Sequence, residues 1–129
     1  MYFTVDGHRA FAYTGAMEPV PGAPAVVFIH GGGCDHTVWN LQSRYLAHHG
    51  FNVYAIDLPA HGLSAGEALT SIDAMATWIW SAMDIVGETR AALVGHSLGS
   101  LVALEAAGSA PERCWHLCLV GTSVPMAAT

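Results

Sequence analysis

Four short apolar segments, separated by helix-forming segments, constrain the fold of this chain more than any other feature. Each is mostly apolar and nearly free of charge, as expected of strands buried on both faces: residues 25–30, 51–57, 90–95 and 114–121. Strands that alternate with helices form a parallel sheet with right-handed crossovers. We therefore predict one α/β domain over residues 1–129, with a mostly parallel sheet and flanking helices.

The intervals between these segments show helical periodicity. Residues 38–49 repeat apolar and aromatic side chains at helical spacing and stop at Gly50, and residues 98–110 form the last predicted helix. Residues 71–86 carry an apolar stripe at helical spacing, and Ser71 is the predicted N-cap of this helix. The stripe of the first helix consists of Val38, Leu41, Tyr45 and His49.

A hairpin is predicted ahead of these α/β units. Two β-prone runs surround Asp6-Gly7, a dipeptide typical of two-residue hairpin turns. The loop PVPGAP then leads into the first buried strand.

Charge and composition argue against several classes of partner. The net charge is −6 with only 4 Lys and Arg residues and no basic cluster, so we expect no nucleic-acid partner. Since no apolar run reaches the roughly 18 residues of a membrane helix, we expect no membrane span. The amino terminus does not resemble a signal peptide, and the 3 cysteines form no CxxC pair. These features predict a cytoplasmic protein with reduced thiols.

The segment Gly95-His96-Ser97-Leu98-Gly99 joins a predicted strand to a predicted helix. It fits the G-x-S-x-G pattern in the strand–turn–helix context of a nucleophile elbow. The glycines give the strand and helix room to approach each other around a sharp turn. Such a turn presents the Ser97 hydroxyl at a helix N-terminus, where the Leu98 N–H favours a developing oxyanion. We therefore predict that Ser97 is a catalytic nucleophile.

A second glycine turn, His30-Gly31-Gly32-Gly33, follows the first buried strand. Without Cβ atoms, its backbone N–H groups can approach a substrate carbonyl closely. We expect Gly32 to complete the oxyanion hole with Leu98, and Gly33 is the neighbouring alternative.

These motifs resemble the α/β-hydrolase fold family, in particular its esterase, C–C hydrolase and epoxide-hydrolase-like branch. The segments that carry the resemblance lie within residues 25–123: AVVFIH running into HGGGCDHTVW, then YAIDLPAHGLSAG, LVGHSLGS and CLVGTS. The resemblance implies a serine hydrolase with Ser97 as nucleophile and the N–H groups of Leu98 and Gly32 as oxyanion hole. We expect a small acyl or ester substrate and no cofactor.

The chain departs from the family in its triad. In the family the acid and the histidine follow the serine, on loops after later strands, whereas residues 121–129 contain no Asp, Glu or His. We expect a truncated fold that resembles the N-terminal half of a family member and lacks the cap and the C-terminal strands. A second copy, a complementing chain or a longer parent protein would then supply the missing groups. The alternative is a catalytically incomplete half-domain that serves as an oligomeric binding or structural module.

The loops that follow the predicted parallel strands meet at the carboxyl-end rim of the sheet. Histidines on this rim offer another source of a base. His36, next to Asp35, and His61, on the neighbouring loop, could each approach Ser97 across the rim. A metal site is the other possibility for the polar residues of this rim: His30, Asp35, His36, Asp57, His61 and His96. Because no HxxxH or HxH spacing is present, we expect no metal.

The composition also predicts an exposed apolar surface. The chain is 53% apolar and only 11% charged, and a sheet that stops at its fourth buried strand has an open edge. Exposed apolar surfaces of this kind usually meet a partner. We therefore expect a homo-oligomer or a complex with a complementing chain.

Overall fold

A computed structural model describes residues 1–121, which form a six-stranded mixed sheet with helices on both faces. The strands are β1 (Tyr2–Val5), β2 (His8–Tyr13), β3 (Ala25–Ile29), β4 (Asn52–Ile56), β5 (Ala91–His96) and β6 (Cys114–Val120). The α-helices are α1 (Asn40–Ala47), α2 (Ile72–Val86) and α3 (Leu98–Ser109), and short 3-10 helices span His36–Trp39 and Pro111–Arg113. Residues 122–129, part of the segment without Asp, Glu or His, lie outside the described residues.

The strand order is β1-β2-β4-β3-β5-β6. Strands β4, β3, β5 and β6 run parallel, whereas β2 pairs antiparallel with both β1 and β4. Asp6 and Gly7, with φ of 51° and 80°, form the turn between β1 and β2. Left-handed conformations at both central positions suit the twist of a two-residue hairpin. The predicted mostly parallel sheet with an N-terminal hairpin is confirmed.

The ends of α2 follow the sequence signals. Ser71 accepts a hydrogen bond from the Ala74 N–H at 3.1 Å, which satisfies one of the amides that lack an intrahelical acceptor. Gly87, with a φ of 90°, ends the helix in the left-handed region. The N-cap predicted at Ser71 is therefore confirmed.

Helix α1 and its preceding 3-10 turn bury a different face from the apolar stripe. Trp39 and Ala47 pack against β3 and β4, beside Phe28 and Val53. The stripe residues point outward, and Leu41 is 80% exposed. Helical periodicity located this helix correctly, but the sheet residues opposite it decided which side is buried.

The prediction of a fourth buried strand over residues 114–121 is half right. Residues Cys114–Val120 form β6, which pairs in parallel with β5, but none of its residues is buried. The apolar sequence predicted strand formation correctly. Its burial depends on neighbours on both sides of the strand, and within residues 1–121 only β5 pairs with it.

Candidate active site

The turn between β5 and α3 is a strained elbow with Ser97 at its apex. Ser97 has φ 55° and ψ −120°, a combination that residues other than glycine rarely adopt. Its N–H donates a hydrogen bond to the Val120 carbonyl of β6 at 3.1 Å, and its side chain caps no backbone amide. The half-buried Ser97 side chain is thus left at the start of α3 without a capping role.

The two flanking glycines are required by close packing. A Cβ atom at Gly95 would lie 2.7 Å from Ser100 Cα and nearer still to the Gly99 carbonyl. A Cβ atom at Gly99 would lie 2.6 Å from the carbonyl oxygen of His30, the residue that directly follows β3. Any larger residue would push α3 away from β5 or β3. The first and last glycines of G-x-S-x-G therefore hold the elbow close to the sheet.

The triple-glycine turn lies directly beside the elbow. The Cβ position of Gly31 is 3.3 Å from Ser97 Cβ, and that of Gly32 is 3.5 Å from Leu98 Cδ2. Leu98 begins α3, so its N–H has no intrahelical acceptor. The predicted oxyanion residues Gly32 and Leu98 are thus neighbours. Gly31, rather than the predicted Gly32, is the glycine of this turn whose Cβ position is nearest to Ser97.

His30 fastens the triple-glycine turn to the loop after β4. Its Nε2 accepts a hydrogen bond from the Leu58 N–H at 3.1 Å, so Nδ1 carries the proton and donates to the Gly31 carbonyl at 2.7 Å. The ring is fully buried, and burial lowers the pKa of His30 below its usual range although the Gly31 carbonyl opposes this. A neutral His30 therefore acts as a bridge between two rim loops.

Asp57, at the end of β4, organises the neighbouring part of the rim. Its fully buried carboxylate accepts hydrogen bonds from the His36 N–H at 2.7 Å, from His36 Nδ1 at 2.9 Å and from the Leu63 N–H at 2.9 Å. A Cβ atom at Gly62 would collide with this carboxylate, at 2.5 Å from its Cγ. The sequence signal for this role is an acid at a strand end followed by a glycine in the next loop.

Neither rim histidine proposed as an internal base is hydrogen-bonded to Ser97. The His36 ring lies between Asp57 and Phe11, with the two ring centroids 5.0 Å apart. His61 Nδ1 is 3.0 Å from the Pro59 carbonyl, and its ring lies 5.0 Å from His30. Across residues 1–121, no histidine forms a hydrogen bond with the Ser97 hydroxyl. The only support for an internal base is that His36 and His61 lie on the same rim as Ser97.

Three of the six rim residues could gather around a metal ion. Ligand atoms of Asp35, His36 and Asp57 lie within 4.8 Å of one another. Hydrogen bonds already account for this arrangement, because Asp35 accepts from the Thr37 N–H at 2.9 Å and Asp57 accepts from His36. Hydrogen bonds from the Thr37 hydroxyl and from the Thr37 N–H lower the pKa of Asp35. The remaining rim residue, His96, lies edge-on to Trp39 with centroids 6.3 Å apart.

A cleft of ≈ 590 Å³ opens beside the triple-glycine turn. It lies between that turn and the loop after β4, and its lining includes Gly33, Cys34 and His61. The elbow, the glycine turn and this cleft share the carboxyl-end rim of the sheet, which is where open α/β sheets bind ligands. None of the helices within residues 1–121 is long and apolar enough to cross a membrane.

Comparison with known proteins agrees with this geometry. A family model described as "alpha/beta hydrolase fold" matches residues 24–129. Epoxide Hydrolase A from Mycobacterium thermoresistibile superposes with a TM-score of 0.81 at 25% identity, over 92% of this chain and 37% of that one.

Two curated relatives are similar in sequence. The dihydrolipoyllysine-residue acetyltransferase component of the acetoin cleaving system of Cupriavidus necator is 41% identical over 90% of this chain and 30% of its own length. The pimeloyl-[acyl-carrier protein] methyl ester esterase of Klebsiella pneumoniae is 36% identical over 80% of this chain and 38% of its own length. The chain therefore spans about a third of the length of these relatives.

Proposed function

Because the chain belongs to the alpha/beta hydrolase fold family, we propose that it carries the nucleophile and oxyanion hole of a serine hydrolase for small carboxylic esters. The observation that carries the proposal is the position of the triple-glycine turn. The Cβ position of Gly31 is 3.3 Å from Ser97 Cβ, and that of Gly32 is 3.5 Å from Leu98 Cδ2. A hydroxyl on a strained turn next to two such backbone segments is the arrangement that acyl transfer requires.

In the proposed reaction, the Ser97 hydroxyl attacks the ester carbonyl as a base removes its proton. The carbonyl oxygen becomes an oxyanion, which the N–H groups of Leu98 and Gly32 stabilise. Collapse of the tetrahedral intermediate expels the alcohol, which takes up a proton, and leaves an acyl group on Ser97 Oγ. A water molecule then attacks the acyl-enzyme, so the products are a carboxylic acid and free Ser97.

The base and its orienting acid come from outside residues 1–121 in this proposal. A serine hydroxyl is a weak nucleophile without a base within hydrogen-bond reach. Among the described residues, no histidine is hydrogen-bonded to the Ser97 hydroxyl. A second copy, a complementing chain or a longer parent protein would provide it. Without a base, the oxyanion hole and substrate binding would still give a small residual rate.

The esterase relative supports the choice of substrate class. Its name describes a methyl ester linked to an acyl carrier protein, and it shares 36% identity with this chain over 103 residues. The ester bond is the part of that description that we carry over to the proposal. The acyl and alcohol groups are left open, because the lining of the neighbouring cleft does not include Ser97.

An active-site fluorophosphonate probe tests the proposal directly. We expect slow labelling of the wild-type chain at Ser97, because the elbow and oxyanion hole alone give a small residual rate, and no labelling of the Ser97→Ala variant. Ser109→Ala is the matched control, because Ser109 lies at the far end of the same helix and should not affect labelling. Intact-mass spectrometry and peptide mapping would locate the adduct. Equal labelling of wild type and Ser97→Ala would contradict the assignment of the nucleophile.

A second candidate function is an oligomeric binding or structural module without catalysis. Two observations favour it: no histidine is hydrogen-bonded to Ser97 within residues 1–121, and none of the residues of β6 is fully buried. This candidate predicts no labelling and no ester turnover from a stably folded oligomer. The fluorophosphonate experiment, repeated at the concentration where the oligomer forms, separates the two functions.

A further inference from the structure

The buried hydroxyl of Ser100, directly beside the elbow, has no part in the reaction proposed above. Ser100 lies in the first turn of α3 and is fully buried. Its Oγ donates a hydrogen bond to the Ser97 carbonyl, and its backbone N–H donates to the same oxygen at 2.9 Å. Because a buried hydroxyl costs free energy unless it is hydrogen-bonded, this contact keeps the hydroxyl on the Ser97 carbonyl.

Packing and helix propensity do not account for this hydroxyl. Helix α3 lies close to β5 here, since a Cβ atom at Gly95 would be 2.7 Å from Ser100 Cα. A small residue suits such a contact, but alanine is also small and favours helices more than serine does. What serine adds over alanine at this position is the hydrogen bond to Ser97.

The Ser97 carbonyl and the Leu98 N–H belong to the same peptide unit. A trans peptide unit is planar, so its C=O and N–H bonds point in opposite directions. The two hydrogen bonds from Ser100 hold the carbonyl toward α3. The Leu98 N–H therefore points away from the body of α3, where no intrahelical acceptor is available to it. A group that fixes the direction of the carbonyl also fixes the direction of the proposed oxyanion donor.

The strained backbone of Ser97 needs such support. Its φ of 55° and ψ of −120° are a combination that persists only where neighbouring groups hold it. The Ser97 N–H is held by the Val120 carbonyl at 3.1 Å, and the Ser97 carbonyl is held by Ser100. Rotation about ψ of Ser97 turns the peptide plane that carries the Leu98 N–H. Ser100 therefore restrains the rotation that would misdirect this donor.

The second proposed donor, the Gly32 N–H, has the same arrangement. It shares a peptide unit with the Gly31 carbonyl, which accepts a hydrogen bond from buried His30 Nδ1 at 2.7 Å. A hydrogen bond to a peptide carbonyl polarises the peptide and strengthens its N–H as a donor. Two separate loops thus place a buried side-chain donor behind each amide of the proposed oxyanion hole.

We propose that Ser100 is a positioning residue of the oxyanion hole, whose hydroxyl orients the Ser97–Leu98 peptide and strengthens the Leu98 N–H as a donor. Ser100 acts through this peptide, and the Leu98 N–H is the group that binds the oxyanion. The effect on the reaction rests on the proposed function. The orientation of the peptide does not, and it can be measured separately.

Nuclear magnetic resonance of the full chain measures the peptide directly. The sequence contains two Ser-Leu pairs, Ser97-Leu98 and Ser100-Leu101. Labelling with carbonyl-¹³C serine and ¹⁵N leucine therefore gives two carbonyl–amide signals, and Ser100→Ala leaves only that of Leu98. We expect Ser100→Ala to move the Ser97 carbonyl and the Leu98 amide proton upfield, because the peptide loses a polarising hydrogen bond.

The matched control is Ser109→Ala. Ser109 lies at the other end of α3, and its Oγ donates to the Ala106 carbonyl, also three residues earlier, at 3.2 Å. This variant removes the same kind of hydrogen bond from the same helix, far from the elbow. Both Ser-Leu signals should keep their positions in Ser109→Ala. Circular dichroism checks that both variants fold.

Fluorophosphonate labelling at several probe concentrations measures the effect on the reaction. We expect Ser100→Ala to lower the maximal labelling rate by about ten-fold, less than the roughly hundred-fold cost of deleting an oxyanion donor outright. The half-saturating probe concentration should stay the same, because the oxyanion contact strengthens only in the transition state. Ser109→Ala should change neither value. A loss of helix stability alone would not separate these two quantities in a folded variant.

Three results would overturn the role of Ser100. They are an unchanged Ser97 carbonyl signal in Ser100→Ala, a maximal labelling rate equal to that of wild type, and an equal loss of rate in Ser109→Ala. A wild-type chain that is never labelled would instead contradict the proposed hydrolase function. The carbonyl signal would then decide alone whether Ser100 orients the peptide.

Discussion

Strands β4 and β6 have similarly apolar sequences but opposite environments. All five residues of β4 are buried, from Asn52 to Ile56, whereas no residue of β6 is buried. Strand β4 pairs with β2 on one side and with β3 on the other, and helices cover both of its faces. Strand β6 pairs only with β5 within residues 1–121.

This difference shows that an apolar sequence allows a strand to be buried but does not determine how much of it is buried. A strand gains most from the hydrophobic effect when both faces and both edges are covered. Strand β4 meets this condition, and β6 does not meet it within residues 1–121. Three experiments would break or sharpen this contrast.

Truncation of one apolar side chain in each strand should give the largest difference. Ile56→Ala removes a fully buried side chain from β4, so we expect a loss of about 2–5 kcal/mol in the free energy of unfolding. Leu119→Ala in β6 should cost about 1 kcal/mol or less, because the side chain is already partly exposed. Chemical denaturation of the two variants and the wild type measures both losses. Equal losses would show that β6 is covered as fully as β4.

Two glycines of α3 show the same contrast between a closely packed and an open position. Gly99 packs against β3, and a Cβ atom there would collide with the Ile29 and His30 carbonyls. Gly99→Ala should therefore destabilise the fold by about 1–3 kcal/mol. Gly108 has no atom within 4 Å of its Cβ position, so Gly108→Ala should stabilise the helix by about 0.5–1 kcal/mol. Thermal unfolding of both variants tests this, and a stabilising Gly99→Ala would refute the close packing of the elbow.

The smallest effect is expected for the contribution of the buried His30 to the pH dependence of the free energy of unfolding. Burial lowers the pKa of His30, so the unfolded state binds a proton more readily than the folded state. The stabilisation is complete above the unfolded-state pKa of about 6.5 and falls as the pH drops toward the folded-state pKa. The slope contributed by His30 is at most about 1.4 kcal/mol per pH unit. His30→Gln should flatten the wild-type curve below pH about 6.5 in urea denaturation, and an unchanged slope would contradict a buried neutral His30.

Much of the fold could be predicted from local sequence signals. The hairpin at Asp6-Gly7, the N-cap at Ser71 and the alternation of strands and helices each depend on neighbours close in sequence. The buried face of α1 could not be predicted in this way. The buried residues of α1 are Ser43 and Ala47, whereas the more apolar stripe is exposed. The packing of Trp39 on Phe28, with ring centroids 5.0 Å apart, marks the side that faces the sheet.

The candidate site was also only partly predictable. The motif around Ser97 identified the elbow, and its glycines are explained by contacts that the structure shows. The sequence placed Gly32 near the site but missed Gly31, because the residue nearest to Ser97 depends on how two separate loops meet. The sequence placed His30 and Asp57 on the rim, but it did not reveal which loops their hydrogen bonds link, for the same reason.

The sequence by itself determined which segments become strands and helices, and that a serine is presented at a strand–helix junction. Those properties follow from backbone preferences and side-chain periodicity over a few residues. Tertiary structure alone decided which apolar surfaces are covered and which amides and glycines surround Ser97. Burial and site geometry depend on segments that are distant in the chain, such as β3 and β5 around the elbow. No local pattern records how such segments meet.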